Sequence, residues 1–281
     1  MISSYMHYFS KLHKFFVLPL KFLQQQSTSR YPFSMIQVSL TDQEKMLRQL
    51  LLDVADYIGT QEGCKKPELR ITGGWVRDKL LGVTSHDIDI GIDTMTGYRF
   101  GTFMKQYLDD SNRKAKYGEA VLGGLAKIEA NPEKSKHLET VTTRILGLEI
   151  DLVNLRKEVY AEDSRNPSME FGTPVEDALR RDSTVNSLFY NLSTSQIEDL
   201  TERGLQDMEL GVIRTPLSPL QTFKDDPLRV LRCIRFASKL GYSIDPEAEQ
   251  AMSDPSIKEA LRAKISRERV GIEVEKMLKG C

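Results

Sequence analysis

The sequence predicts a mixed α+β region followed by an all-α region, and three observations carry that reading. The stretch from Leu69 to Asp93, LRITGGWVRDKLLGVTSHDIDIGID, reads as strand, glycine turn, short helix and second strand. Residues 120–130 and 138–156 add strand-like segments on either side of an NPEKSK turn, enough to build a sheet. From residue 215 onward the apolar residues recur at helical spacing between proline and glycine boundaries. The expected division is therefore a leader or tail over 1–40, an α+β region over 41–214 and a helical region over 215–281.

Composition narrows the function classes. A chain of 281 residues has length enough for one large or two small domains with an ample core. A formal net charge of -1 gives no global attraction to nucleic acid, so any RNA contact must come from local basic faces. Cys64, Cys233 and Cys281 lack metal-ligand spacing, which points to a reducing compartment and no zinc site. The first 41 residues hold no Asp or Glu but carry Lys11, Lys14, Lys21 and Arg30 among aromatics and serines, the composition of a mitochondrial presequence; a plain tail is the alternative. Pro19 and Lys21 interrupt its apolar run, so a membrane span is not expected. Met35 offers a second start, which predicts a cytoplasmic and nuclear pool besides the mitochondrial one.

The elements follow in order. Thr41 and Glu44 form a capping box ahead of an apolar set, Met46, Leu47, Leu50, Leu51, Val54 and Ile58, at helical spacing. In the central stretch, Gly73 and Gly74 stand where a strand ends and a helix begins. Unpaired N–H groups there, with no Cβ in the way, favour a phosphate, and Arg77 one turn on could bond it too. On the next strand Asp87 and Asp89 share one face, while Ile88 and Ile90 point into a core. Two carboxylates on one face make a seat for a divalent metal. Each half has a bland alternative, an ordinary turn and a solvated strand end; together they point to metal-assisted chemistry on a nucleoside triphosphate.

Residues 94–108 read as a helix. Arg113, Lys114 and Lys116 then make a basic segment, either a loop near RNA or a solvated surface. In the returning strand Glu149, Asp151 and Val153 share a face; Asp151 is the candidate third carboxylate and Glu149 its competitor. The block FGTPVEDALRRDSTVNSLFYNL places Arg180, Arg181, Asp182 and Asn186 on one expected helix, with Asp182 and Asn186 on the same side. Residues 197–215 read as a connector. In FKDDPLRVLRCIRFASKLGY, Asp226 caps a helix opened by Pro227, with Leu228, Leu231 and Ile234 facing the core and Arg229, Arg232 and Arg235 in a parallel row. The last helix, within SRERVGIEVEKMLKGC, is expected to turn Val270, Val274 and Leu278 inward.

Three of these stretches, in this order, resemble motifs of the class II tRNA nucleotidyltransferases, the CCA-adding enzymes of the polymerase-β-like superfamily, and the fungal members most of all. They are GG-x-VRD-x-LLG with HDIDI, then RRDSTVN, then DDPLR, where Asp225 stands in place of the usual glutamate. The resemblance implies a polymerase-β-like nucleotidyltransferase head of mixed sheet and helices, followed by an all-α neck. It also implies transfer of CMP, CMP and AMP from CTP and ATP to the 3' end of tRNA, with Mg²⁺ held by Asp87 and Asp89 and an acid such as Asp151 beside them. One of Arg180 and Arg181 would contact the nucleotide, and Asp226 with Arg229 would read the base. Arg232 and Arg235 would meet phosphates or the RNA end. Family members continue into further helical domains that the 281 residues do not include. That difference leaves open a non-catalytic tRNA-binding protein, beside CC-adding, A-adding and poly(A)-polymerase relatives.

Overall fold

The computed structural model describes residues 38–117, 126–128, 140–159 and 168–279. They form two compact units: 38–181 with 185–204, and 182–184 with 205–279. The leader, the NPEKSK turn and most of the strand expected at 120–130 lie outside the described residues.

The larger unit is built on a seven-stranded sheet. In chain order its strands are β1 (Leu69–Thr72), β2 (Ile88–Ile92), β3 (Ala126–Ile128), β4 (Thr140–Ile145), β5 (Leu148–Asn154), β8 (Phe189–Asn191) and β9 (Ile197–Glu198); β6 (Arg156–Val159) and β7 (Ser168–Phe171) pair apart as an antiparallel ribbon. The spatial order is β3-β4-β5-β2-β1-β8-β9. Only the central pair β2 and β5 runs parallel, with Asp89 opposite Asp151. The two-residue turn from β4 to β5 has positive φ at Leu146 and at Gly147, the hand that suits a twisted hairpin.

Helix α1 (Asp42–Gly59) starts at the expected Thr41–Glu44 capping box. It buries Leu47, Leu50, Leu51, Val54 and Ile58; Met46, expected among them, is exposed. Glu44 does more than cap. Its buried carboxylate takes Lys79 Nζ at 2.7 Å and Trp75 Nε1 at 3.3 Å, tying α1 to the short helix α2 (Gly74–Leu80).

Helix α3 (Gly97–Asp109) packs Phe100, Met104 and Leu108 inward and is followed by α4 (Ser111–Lys116). The basic segment is not a free loop. Arg113 lies over Tyr57 and Tyr107, 4.8 and 4.9 Å from the two ring centroids, and Lys116 is paired with Asp53. Aromatic faces and a carboxylate on the neighbouring helices hold two of the three cations against the unit.

Helix α5 (Pro174–Leu179), with its own capping box at Thr173 and Glu176, closes the larger unit before β8. The smaller unit contains α6 (Gly204–Leu210), α7 (Pro219–Asp225), α8 (Leu228–Leu240), α9 (Pro246–Met252), α10 (Pro255–Lys264) and α11 (Arg267–Lys279). It is not wholly helical, because β10 (Val212–Ile213) and β11 (Ser243–Ile244) pair in parallel.

Two helical faces depart from expectation. The buried stripe of α8 is Val230, Cys233 and Ala237 with Leu228, while Leu231 and Ile234 are only partly covered. On α11 the buried residues are Glu273 and Met277, and Leu278 is 71% exposed. One ion pair accounts for the turn of α11: Arg235 Nε meets Glu273 Oε2 at 2.7 Å, both side chains nearly covered, so a polar pair occupies the seam that apolar residues were expected to fill.

Candidate active site

In the larger unit the candidate residues assemble around the C-terminal end of β1 and the start of β2. Asp87 is exposed just before β2, and Asp89 is half-buried within it. The parallel register sets Asp151 beside Asp89, and Thr142 Oγ1 on β4 donates to Asp151 Oδ1 at 2.5 Å, orienting that carboxylate. Glu149, the competing acid, is exposed opposite Arg144, away from the pair.

Burial lifts the Asp89 carboxyl to about 6; Arg181 and Arg156 pull it down, while Asp151 and Asp87 push it further up. An excess of negative charge in a partly dry place suits a hard cation. Among the described residues no three His, Cys, Asp or Glu side chains converge at metal-ligand geometry. Asp87 and Asp89 form a carboxylate edge of the kind that holds a divalent cation, with substrate and water oxygens completing the shell.

Beside this edge lies the glycine turn. Gly73 has φ 73° and ψ -133°, a conformation closed to most L-residues. A Cβ built there would stand 2.8 Å from Arg181 Nη1. Arg77 is 3% exposed, and its guanidinium engages Asp78 and the Asn186 side chain. It braces the turn from beneath, which differs from the expected role of reaching for a phosphate.

The RRD stretch is not one helix. α5 stops at Leu179 with Arg180 as its C-cap, and Asp182 and Asn186 part company: Asp182 pairs with Arg232 in the smaller unit, Asn186 with Arg77 in the larger. Ser183 and Thr184 are buried, with hydroxyls bonded to Asp182 and Asp207, and Thr184 opens a single 3₁₀ turn, Thr184–Asn186. Local capping and turn bonds thus win over helix continuation.

Arg180 and Arg181 share Asp177, at 2.5 Å and 2.8 Å, and Arg180 also reaches Glu158 at 3.2 Å. Arg181 then lies across the Phe189 ring and donates to the Asn186 carbonyl. Asp177 is thoroughly buried, yet the two guanidinia hold its carboxyl at about 2. Sequence reasoning missed Asp177 and Glu158 as organisers, although Asp177 stands three and four positions before the two arginines, the helical pairing distance.

The smaller unit carries the other candidates. The helix opens one residue later than expected, with Pro227 rather than Asp226 as its N-cap; Asp226 closes α7, its Oδ1 accepts the Leu228 N–H at 3.1 Å, and Arg269 Nη2 stands 3.9 Å from its Oδ2. Arg229 is 8% exposed on the first turn of α8. Arg232 is bonded to Asp182 at 2.5 Å, and that neighbour raises its already high pKa; Arg235 is bonded to Glu273. The row expected to meet phosphates is thus engaged within its own unit.

Comparison with known proteins agrees with this geometry. Residues 69–214 match the model of the poly(A) polymerase head domain. The mitochondrial CCA tRNA nucleotidyltransferase of Saccharomyces cerevisiae is 54% identical over 257 residues, covering 90% of this chain and 46% of that protein. A nucleotidyltransferase of Purpureocillium lilacinum is 55% identical over 246 residues, covering 86% of this chain and 41% of the relative. The chain thus spans less than half the length of either. A solved CCA-adding enzyme with ATP superposes with a TM-score of 0.65 at 25% identity, covering 87% of this chain and 50% of that one.

Proposed function

The chain belongs to the family of the poly(A) polymerase head domain, and from that premise we propose that it is a template-independent RNA nucleotidyltransferase, adding C, C and A to the 3' end of tRNA from CTP and ATP. The observation that carries this reading is the register of Asp89 against Asp151 beside the Gly73 turn and Arg181. Asp87 and Asp89 would hold Mg²⁺, which would supply neutralisation of the phosphate charge and a lower pKa for the 3'-hydroxyl. Asp151, held by Thr142, takes the proton that the 3'-hydroxyl gives up. The 3'-oxygen attacks the α-phosphorus and pyrophosphate leaves.

Arg181 and the N–H group at Gly74 bind the triphosphate, the Gly73 N–H being spent on the Leu188 carbonyl at 3.1 Å; Arg180 secures Arg181 indirectly by sharing Asp177. Selection of C and A follows from their common edge. Both bases offer an amino donor beside a ring-nitrogen acceptor, matched by the Asp226 carboxylate and the Arg229 guanidinium, whereas U and G leave buried polar groups unpaired at about 1–3 kcal/mol each. The names of the relatives and the acid-free leader together support a mitochondrial location. Met35 supports a further cytoplasmic and nuclear form.

The test is extension of a tRNA lacking its CCA end, with Mg²⁺ and all four nucleotides, resolved at single-nucleotide length. Three additions in the order C, C, A are expected. A stop after two, addition of A alone, or a run of A would replace this reading with a CC-adding, A-adding or poly(A)-forming enzyme. Binding of tRNA without any extension would reject catalysis.

A further inference from the structure

One cation near the carboxylate edge is unaccounted for by these roles. Arg156 opens β6, directly after Leu155, whose N–H bonds the Ile92 carbonyl at the end of β2. Its backbone is pinned on both sides: the N–H donates to Asp177 Oδ1 at 3.3 Å, and the carbonyl accepts from Arg180 Nε at 3.2 Å. Its guanidinium is not pinned. Nε is buried and has no hydrogen-bond partner among the described residues.

The reason is a count of charges. Three guanidinia, those of Arg156, Arg180 and Arg181, share two carboxylates, Asp177 and Glu158. Arg180 and Arg181 occupy Asp177 with both of its oxygens, and Arg180 also takes Glu158. Arg156 is left as a covered cation beside two others; burial and then Arg180 lower its pKa to about 9. Through Asp177 it stands beside Arg181, whose guanidinium reaches the Gly73 turn. A covered, unpaired guanidinium is costly to keep unless something anionic arrives to use it.

Resting on the nucleotidyl-transfer reading above, we propose that Arg156 is a substrate-binding residue whose open guanidinium takes a phosphate oxygen of the incoming nucleoside triphosphate. Arg180 and Asp177 position it by holding its backbone, and Arg181 works alongside it. A guanidinium whose hydrogen-bonding capacity its neighbours leave unused suits a charge-assisted contact to a phosphate.

The experiment measures CTP binding by titration calorimetry on the full 281-residue chain, with Arg156→Met and Arg156→Lys beside the native protein, and thermal unfolding of all three. Removing a charge-assisted contact weakens CTP binding roughly tenfold or more in Arg156→Met. Arg156→Lys restores part of it, as a cation without the fork should. The Arg156→Met protein unfolds at the same or a higher temperature, because it loses an unpaired buried charge. A structural arginine gives the opposite pattern, a lower unfolding temperature with CTP binding unchanged, and overturns the assignment. A variant that loses affinity for tRNA while binding CTP normally overturns it as well. Absence of CTP binding by the native chain is a different failure, that of the nucleotidyl-transfer reading itself.

Discussion

Asp177 shows how one buried carboxylate can organise a catalytic neighbourhood without touching substrate. Both of its oxygens are used, by Arg180, by Arg181 and by the Arg156 backbone N–H. Burial alone would raise its carboxyl, and the guanidinia reverse that, to about 2 against an ordinary 3.8. Because the folded value is depressed, its contribution to stability is complete above about 4 and is lost as pH falls towards 2. The size of that contribution is about 2 kcal/mol. Unfolding in urea at a series of pH values should therefore show a steeper acid loss in the native protein than in Asp177→Asn, with the variant already weaker at pH 7. Identical pH profiles would contradict the pairing. The spacing that puts Asp177 under both arginines is visible in the sequence; that it is buried is not, since its cover comes from the distant strand β6.

At the scale of elements, what could be read from the sequence was local and what could not was long-range. The cap at Thr41, the glycine turn and the alternation around Asp89 are contained in short windows, and each recurs in the structure. The Arg77–Asn186 bond spans 109 positions and the Glu44–Trp75 bond 31, beyond any periodic pattern. Helix α11 was misread because hydrophobic periodicity assumes that apolar residues take the inner seam, whereas the Arg235–Glu273 pair occupies it. Helix α4 makes the same point with charge. Its Arg113 is stacked on two tyrosines, so Arg113→Ala should cost about 1 kcal/mol of stability and leave tRNA affinity unchanged. Thermal unfolding and a filter-binding titration check this together. A drop in tRNA affinity at constant stability would restore the RNA-facing role that the run of basic residues first suggested.

At the scale of the whole molecule, the chain combines a sheet-based unit bearing carboxylates and a glycine turn with a mainly helical unit bearing Asp226 and Arg229. The RRD stretch contributes to both, since Arg180 and Arg181 belong to the first and Asp182 to the second. The boundary is thus interleaved in the sequence, with residues 182–184 and 205–214 in the smaller unit, whereas punctuation suggests a single cut at residue 214. Net charge is near zero, and among the described residues no helix is long and apolar enough to cross a membrane.

The central claim is that the β2 carboxylates perform nucleotidyl transfer on this scaffold. The most direct measurement compares the native chain with Asp89→Asn for single-turnover extension of a CCA-less tRNA by CTP and Mg²⁺, with thermal unfolding as the control. The account predicts at least a thousandfold loss of rate with an unfolding temperature no lower than that of the native chain, because a neutral amide relieves the crowded negative charge. An Asp89→Asn protein that still extends tRNA at a rate near the native one would contradict it.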